Sequence, residues 1–269
     1  MAGSVRVAQL RYHQAVLDLL GMHLDADPRR LEIIEQREAA CATRFPASVR
    51  EWFSIESAEA LFYENTNEDH LQALTDLGDP QEAAQGYLKI ATENQAVVAW
   101  YIRLGEGDDP PVYDNNDEWN ADLSTTAWRE NSKTFTSFIF DMISSHHFRG
   151  WHSGMRLSAI DQQPGPDELQ QLRSWFQEGP VTDEPDSKVY RFFTVAGLVT
   201  IRSVTPEHLA NSEAEWAIET DSPDELFEFG QKLWRFGTLS QTLKAESSTP
   251  ESRAKGDQVL QQLRARTEA

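Results

Sequence analysis

The sequence predicts an α+β fold, because amphipathic helical patterns and short strand patterns occur in both halves of the chain. Its 269 residues suffice for one large domain or two small ones. Apolar residues make up 39% of the chain and include eight Trp and thirteen Phe, a composition typical of a folded protein with a packed core. The clearest strand covers residues 97–104, where apolar side chains occur at both odd and even positions. Both faces of that strand should therefore be covered.

Three helices are predicted in the N-terminal region. Asp27 followed by Pro28 is the pattern of a helix cap and a first helical residue. Pro46 should open a shorter helix. Cys41 is the one cysteine, so a disulfide within the chain is excluded. It lies on the apolar side of the helix that begins at Pro28 and is expected to be a small core residue. The predicted helices cover residues 5–20, 28–41 and 46–53.

The middle of the chain predicts a small sheet followed by an apolar helix. Strands are expected over residues 86–90 and 97–104, and a third begins at Val112. A polar loop over residues 114–122 follows. Ser132 is the candidate cap of the helix, in which apolar residues recur at helical spacing. These residues are Phe135, Phe138, Ile139, Met142 and Ile143.

The second half predicts a hairpin between two capped helices. Gly165 and Pro166 open the first helix, the hairpin turns around Ala196 and Gly197, and Ser222 caps the second helix. A strand over residues 215–220 and a short, loosely attached terminal helix complete the pattern. The expected domains are residues 1–150, a second α+β part over 151–244, and a polar linker with the terminal helix over 245–269.

The charge of the chain limits its partners. A formal net charge of −20 and a pI near 4.7 predict repulsion from nucleic acid and from anionic membranes, because both are polyanions. The same charge favours encounter with a basic protein, although simple solubility also explains it. Neither a signal peptide nor a membrane-spanning segment is recognisable, so a cytoplasmic location is expected.

No pattern in the sequence indicates an enzyme. A nucleophile elbow, a phosphate-binding loop and a dinucleotide fingerprint are all missing from the sequence. His146, His147 and His152 lack the spacing of a zinc site and are better interpreted as the end of the apolar helix. The prediction is therefore no catalytic residue, no metal and no cofactor.

Acidic residues cluster around the turn after the strand at 97–104 and in the loop that follows. The structural interpretation is a solvated turn, and the functional one is a surface for a basic partner. Trp119 lies in a polar stretch, so it is expected to be partly exposed and could anchor a partner. The candidate partner-binding residues are Asp108, Asp109, Asp114, Asp117, Glu118 and Trp119.

Two segments carry a family resemblance. Residues 91–104 include the predicted strand that carries Trp100, and the acidic turn Gly-Glu-Gly-Asp-Asp-Pro-Pro-Val-Tyr follows over residues 105–113. Residues 44–53 read Arg-Phe-Pro-Ala-Ser-Val-Arg-Glu-Trp-Phe, although Ser-Ile-Glu-Ser then replaces the usual Asn-Gly pair. Together these segments resemble the SMI1/KNR4 (SUKH) superfamily over residues 31–145. The resemblance implies a mixed β-sheet flanked by helices, to which the rest of the chain adds a smaller α+β extension.

The resemblance also implies a function. SUKH proteins are known mostly as bacterial immunity proteins, so a non-catalytic module that occludes a basic toxin domain is expected. Two alternatives stay open: a regulatory or scaffold protein, as in eukaryotic members that act in cell-wall signalling, and a metal-dependent hydrolase that uses the histidines and the acidic loop.

Overall fold

The structure is a computed structural model that describes residues 10–115, 123–148, 154–184, 187–204, 213–246 and 249–267. The chain divides into two compact units, Met1–Ile143 (unit 1) and Ser144–Ala269 (unit 2). The division falls near the end of a helix, and each unit has its own sheet in the described residues. The α+β class predicted from the sequence is confirmed.

The second helix of unit 1 begins where its sequence cap predicts, whereas the first helix, predicted over residues 5–20, starts only at Gln14 in the described residues. The Asp27 carboxylate accepts a hydrogen bond from Arg29 N (2.9 Å), and Pro28 is the first helical residue. The apolar helix differs from its prediction, because Thr134 rather than Ser132 caps it through the Ser137 N–H (3.0 Å). The helices are α1 (Gln14–Leu19), α2 (Pro28–Cys41), α3 (Ala47–Ser54), α4 (Ala58–Glu64), α5 (Pro80–Ala84) and α6 (Phe135–His147).

The sheet of unit 1 is five-stranded in the described residues, with neighbours in chain order. Every described pair is antiparallel, so the mixed sheet that the resemblance implied is not found. The central strand β3 is buried from Ala99 to Ile102, which confirms that both of its faces are covered. The strands are β1 (His70–Leu71), β2 (Tyr87–Thr92), β3 (Ala99–Arg103), β4 (Val112–Asn115) and β5 (Arg129–Ser132).

Large aromatic side chains fill the core of unit 1. The Phe138 ring lies 5.6 Å from the Trp100 ring and 6.3 Å from the Phe62 ring, measured between centroids. Trp52 and Phe53 of α3, the helix predicted to begin at Pro46, are fully buried. Burial of such side chains is the main stabilising contribution available to a domain of this size.

Unit 2 is built on a larger sheet than unit 1, whereas the sequence predicted a smaller one. In the described residues its strand order is β12-β6-β11-β10-β9-β7, and β8 also pairs with β9. Every described pair is antiparallel, and the predicted hairpin is present. Its turn is formed by Val195 and Ala196, one residue earlier than predicted, because Gly197 already pairs with Thr194. The strands are β6 (Met155–Gln162), β7 (Gln177–Glu178), β8 (Thr182–Glu184), β9 (Ser187–Thr194), β10 (Gly197–Val204), β11 (Glu213–Thr220) and β12 (Lys244–Glu246).

Helices cover one face of the unit 2 sheet and share its core. Ser222 caps α8, as predicted, by accepting a hydrogen bond from Glu225 N (3.2 Å). The terminal helix is longer than predicted and is not loosely attached, because Val259, Leu260 and Leu263 lie in the same core as the sheet. The helices are α7 (Pro166–Trp175), α8 (Pro223–Leu233), α9 (Leu239–Thr242) and α10 (Pro250–Thr267).

Within the described residues, none of the helices combines the length and the apolar character needed to cross a membrane.

Candidate functional site

The acidic turn (residues 104–111) joins β3 to β4 at one end of the unit 1 sheet. Gly105 and Gly107 adopt φ values of 91° and 104°, a region that other residues avoid. Asp108 is exposed, and its carboxylate has neither an ion pair nor a hydrogen bond among the described residues. The sequence therefore builds a tight turn that holds one free carboxylate towards solvent.

Two helix N-termini fix the shape of the acidic turn. Ser48 N, in the first turn of α3, donates a hydrogen bond to the Asp108 carbonyl oxygen (2.9 Å). Thr136 N, in the first turn of α6, donates to the Asp109 carboxylate (3.0 Å). Free N–H groups at a helix N-terminus favour such acceptors. Asp109 is half-buried and acts as a cap, so Asp108 is the better placed of the two for contact with a partner.

The Glu106 side chain packs against the base of the turn. Its carboxylate accepts a hydrogen bond from the Tyr113 hydroxyl (3.0 Å) and lies 3.7 Å from Arg103. The Arg103 guanidinium lies 4.3 Å from the centroid of the Tyr113 ring. Burial, and then the hydrogen bond to Glu106, raise the pKa of Tyr113. These contacts brace the turn.

Asp114 was predicted to contact a partner, but the structure shows that its side chain is buried. Its side chain is 1% exposed, and its carboxylate accepts hydrogen bonds from Arg129 Nη2 (2.8 Å) and Asn131 Nδ2 (3.2 Å). The same carboxylate raises the pKa of Arg129. Asp114 therefore links β4 to β5 and offers no atom to a partner.

Three of the candidate contacts, Asp117, Glu118 and Trp119, lie outside the described residues. The other aromatic residues of this region are mainly structural. Trp100 and Tyr101 are buried, as predicted. Trp128 is half-buried and stacks on Tyr87 at 4.7 Å.

A buried histidine lies beneath the acidic turn. His13 is fully buried, its Nε2 lies 2.9 Å from the Ser48 carbonyl oxygen, and its ring packs against Trp52 and Phe135. Burial lowers the pKa of His13. The Glu51 carboxylate accepts backbone N–H donors from residues 11–13, which fastens this segment to α3. The sequence pattern did not single out His13.

An exposed aromatic side chain lies at the opposite end of the unit 1 sheet from the acidic turn. Tyr63 of α4 is 39% exposed and its ring lies 5.1 Å from that of His70, which is also exposed. Glu64 and Glu68 are exposed nearby in the chain. Sequence reasoning missed this surface because residues 58–77 carry no clear periodicity, although a Tyr next to acidic residues was a usable signal.

The histidines of α6 are part of no metal-binding group in the residues that the structure describes. Among the residues that the structure describes, no group of three or more His, Cys, Asp or Glu is arranged to hold a metal ion. His146 and His147 occupy the last turn of α6, which confirms their interpretation as a helix end, and His152 lies outside the described residues. Burial lowers the pKa of His147 and raises that of its neighbour Asp221.

Cys41 is half-buried rather than a core residue. Its Sγ donates a hydrogen bond to the Gly78 carbonyl oxygen (3.1 Å), and burial raises the pKa of its thiol. A raised pKa disfavours the thiolate, which is the nucleophilic form.

Comparison of the chain with protein-family models, with curated proteins and with solved structures finds no match.

Proposed function

We propose that this chain is a non-catalytic, cytoplasmic protein-binding module that neutralises a basic toxin domain by covering its active surface. The observation that carries the proposal is the acidic turn, a braced segment that presents the unpaired carboxylate of Asp108. A pre-formed contact loses little conformational entropy on binding, which favours affinity.

The distribution of charge supports unit 1 as the binding unit. Residues 1–143 contain 25 Asp and Glu against 11 Lys and Arg, a formal charge of −14. Residues 144–269 contain 19 Asp and Glu against 13 Lys and Arg, a formal charge of −6. The resemblance to SUKH proteins also falls within residues 31–145. A strongly acidic surface accelerates association with a basic partner and repels acidic proteins.

Neutralisation by occlusion requires no chemistry from this chain. Tight complexes need a few desolvated anchors surrounded by a polar rim, and aromatic residues are enriched among such anchors. Trp119 is the anchor that the sequence proposes, with Asp117 and Glu118 beside it, and Asp108 and Asp109 supply charge on the acidic turn.

The experiment is co-expression of the full chain with the product of the adjacent gene, scored by growth and by purification of a complex. The proposal predicts growth rescue and a one-to-one complex. Asp108→Lys should slow association about tenfold, because charges at a rim act mainly on the association rate. Glu64→Lys is the matched control, since Glu64 is an exposed carboxylate of α4, which packs against β1 at the opposite end of the sheet.

Absence of both rescue and complex would overturn the immunity proposal. A pull-down from native lysate would then test the scaffold alternative, which predicts partners that are not toxins. Rescue without a complex would contradict occlusion, because a protein that acts by covering a surface must stay bound to it.

A further inference from the structure

A cavity of about 590 Å³ lies in unit 2, where helices α7, α8 and α10 end. Trp175 is the last residue of α7, Trp234 and Arg235 follow α8, and Arg266 lies in the last turn of α10. Small-molecule sites commonly enclose about 300–1,000 Å³ and combine apolar walls with a few polar groups. The size and the position between helices fit that class of site.

Aromatic rings form one wall of the cavity. The Trp175 and Phe236 rings line it and lie 5.7 Å apart. Phe236 also packs on the Trp216 ring at 6.0 Å, within the core of unit 2. Rings held by the core give a rigid surface on which a flat ligand could stack.

The charged residues that line the cavity are all cations. Lys232, Arg235 and Arg266 contribute to the lining. Trp234, two glutamines and a leucine complete it, and none of the described lining residues is acidic. The whole chain has 44 acidic residues against 24 Lys and Arg, so this separation of charge is unexpected for a random surface. Like charges that share one cavity repel each other, and a bound anion would offset that repulsion.

Aromatic contacts hold two of the three cations. Lys232 Nζ lies 5.0 Å from the centroid of the Phe176 ring, and the Arg266 guanidinium lies 5.6 Å from that of Phe227. Arg235 is exposed and has no carboxylate partner in the part of unit 2 that the structure describes. Its fork of N–H donors matches a carboxylate or a phosphate group.

The helix ends offer another reason for some of these cations. Lys232 and Arg266 lie in the last turns of α8 and α10, where a cation compensates the helix dipole. Arg264 has the same role in α10 without lining the cavity, whereas Arg235 lies beyond the end of α8 and lines it. A comparison of Arg235 with Arg264 therefore separates ligand binding from helix stabilisation.

The geometry points to a site for a small organic anion with an aromatic body in this cavity. The ring lies against Trp175 and Phe236, and the anionic group pairs with Arg235 and Arg266. A buried donor adds to the site: Trp234 is 8% exposed, and its indole N–H has no acceptor among the described residues. This binding activity belongs to unit 2 and does not depend on the function proposed for unit 1.

The test is calorimetric titration of the full chain with naphthalene-2-sulfonate, compared with 2-naphthylmethanol and with sodium sulfate. The site predicts saturable one-to-one binding of the aromatic anion, and binding at least about tenfold weaker for each of the other two compounds. Titration with 2-naphthoate and 2-naphthyl phosphate then distinguishes a carboxylate ligand from a phosphate ligand.

Matched variants locate the binding. Arg235→Gln should weaken the binding of naphthalene-2-sulfonate about tenfold, as expected for the loss of a charge-assisted contact. Arg264→Gln should leave it within about twofold, as expected for a surface substitution outside the cavity. Equal thermal unfolding midpoints for the two variants confirm that each is folded.

Three results would overturn the inference. The first is no saturable binding of any naphthalene anion. The second is equal weakening by Arg235→Gln and Arg264→Gln, which would indicate diffuse electrostatic attraction. The third is binding of an acidic peptide, Asp-Glu-Trp-Glu, without binding of the small anions, which would make the cavity a peptide groove.

Discussion

Single residues of unit 1 have roles that their chemical type does not reveal. His13 is the clearest case. The Ser48 carbonyl oxygen can only accept a hydrogen bond, so Nε2 of His13 carries the proton. Nδ1 of the neutral ring therefore carries no proton. Nδ1 is buried and has no hydrogen-bond partner among the described residues. A second proton would place an unpaired charge between Trp52 and Phe135, which is costly.

Unit 1 should therefore lose stability as the pH falls. Burial lowers the pKa of His13 in the folded state, so below about pH 6.5 the unfolded chain binds a proton that the folded chain resists. The stability that His13 contributes is fully present above its unfolded pKa. It is lost below that pKa at a rate approaching about 1.4 kcal/mol per pH unit.

Denaturant unfolding between about pH 7 and pH 5 measures this dependence. His13→Gln keeps a donor for Ser48 but does not titrate, so its free energy of unfolding should fall less steeply with acid. His70→Gln, a change at an exposed histidine of the same unit, should leave the slope unchanged. Identical slopes for wild type and His13→Gln would refute the assignment.

Asp114 tests whether an acidic residue near the turn supports the fold or contacts a partner. In Asp114→Asn, an amide replaces one oxygen that faces the donors of Arg129 and Asn131. We expect a loss of about 1–3 kcal/mol in the free energy of unfolding, because a buried group loses its partners.

Asp108→Asn is the control for Asp114, because its exposed carboxylate makes no ion pair or hydrogen bond in the described residues. It should change stability by less than about 0.5 kcal/mol. Chemical denaturation measures both variants. If Asp114→Asn were as stable as the wild type and lost only partner binding, Asp114 would be a contact residue rather than a structural one.

At the scale of helices and strands, local signals predicted most elements and long-range pairing determined the others. The caps Asp27 and Ser222 are local and were predictable, and the hairpin turn before Gly197 was predicted to within one residue. Strand β5 was not, because Arg129–Ser132 is polar and forms a strand only by pairing with β4. Strand β6 was also missed, although it pairs with both β11 and β12 in the unit 2 sheet.

The candidate site was only partly predictable for the same reason. Sequence spacing treats Asp108, Asp109 and Asp114 alike as acidic residues near one turn. Their environments differ because residues far along the chain meet them: Thr136 at Asp109 and Arg129 at Asp114. Burial depends on these distant contacts, which a single sequence does not specify.

Helix α10 is the element whose role changes most between sequence and structure. Leu260 is buried in the core of unit 2, on a helix that packs against α8 and β6. Leu260→Ala should lower the free energy of unfolding by about 2–5 kcal/mol, since it leaves a cavity in a packed core. Hydrogen exchange of β6 and β11 would report the loss within unit 2.

Gln261→Ala is the control on the same helix, because Gln261 is exposed. It should change the free energy of unfolding by less than about 0.5 kcal/mol. Similar small effects for both variants would show that α10 is only loosely attached, as the sequence alone suggested.

At the scale of the whole molecule, the two units differ in charge and in the kind of ligand that each suits. Unit 1 has a formal charge of −14 and presents a braced acidic turn, which favours binding of a basic protein. Unit 2 carries −6 and holds a cavity lined by cations and aromatic rings, which favours a small anion. Such a division allows one chain to bind two ligands of opposite charge.

Electrostatic association makes a further prediction at this scale. If a basic partner meets unit 1, the association rate should fall steeply as salt rises from about 0.05 to 0.5 M, because exposed charges are screened beyond about one Debye length. Stopped-flow mixing measures this rate. A rate independent of salt would show that the net charge of the chain serves solubility rather than encounter.

The most direct test of the central claim is calorimetric titration of the purified full chain with an inactivated form of the protein that the adjacent gene encodes. Binding by occlusion predicts a saturable one-to-one complex, weakened by Asp108→Lys and unaffected by Glu64→Lys. An absence of binding heat at several temperatures, with no complex on gel filtration, would contradict the claim that this chain neutralises a toxin by binding it.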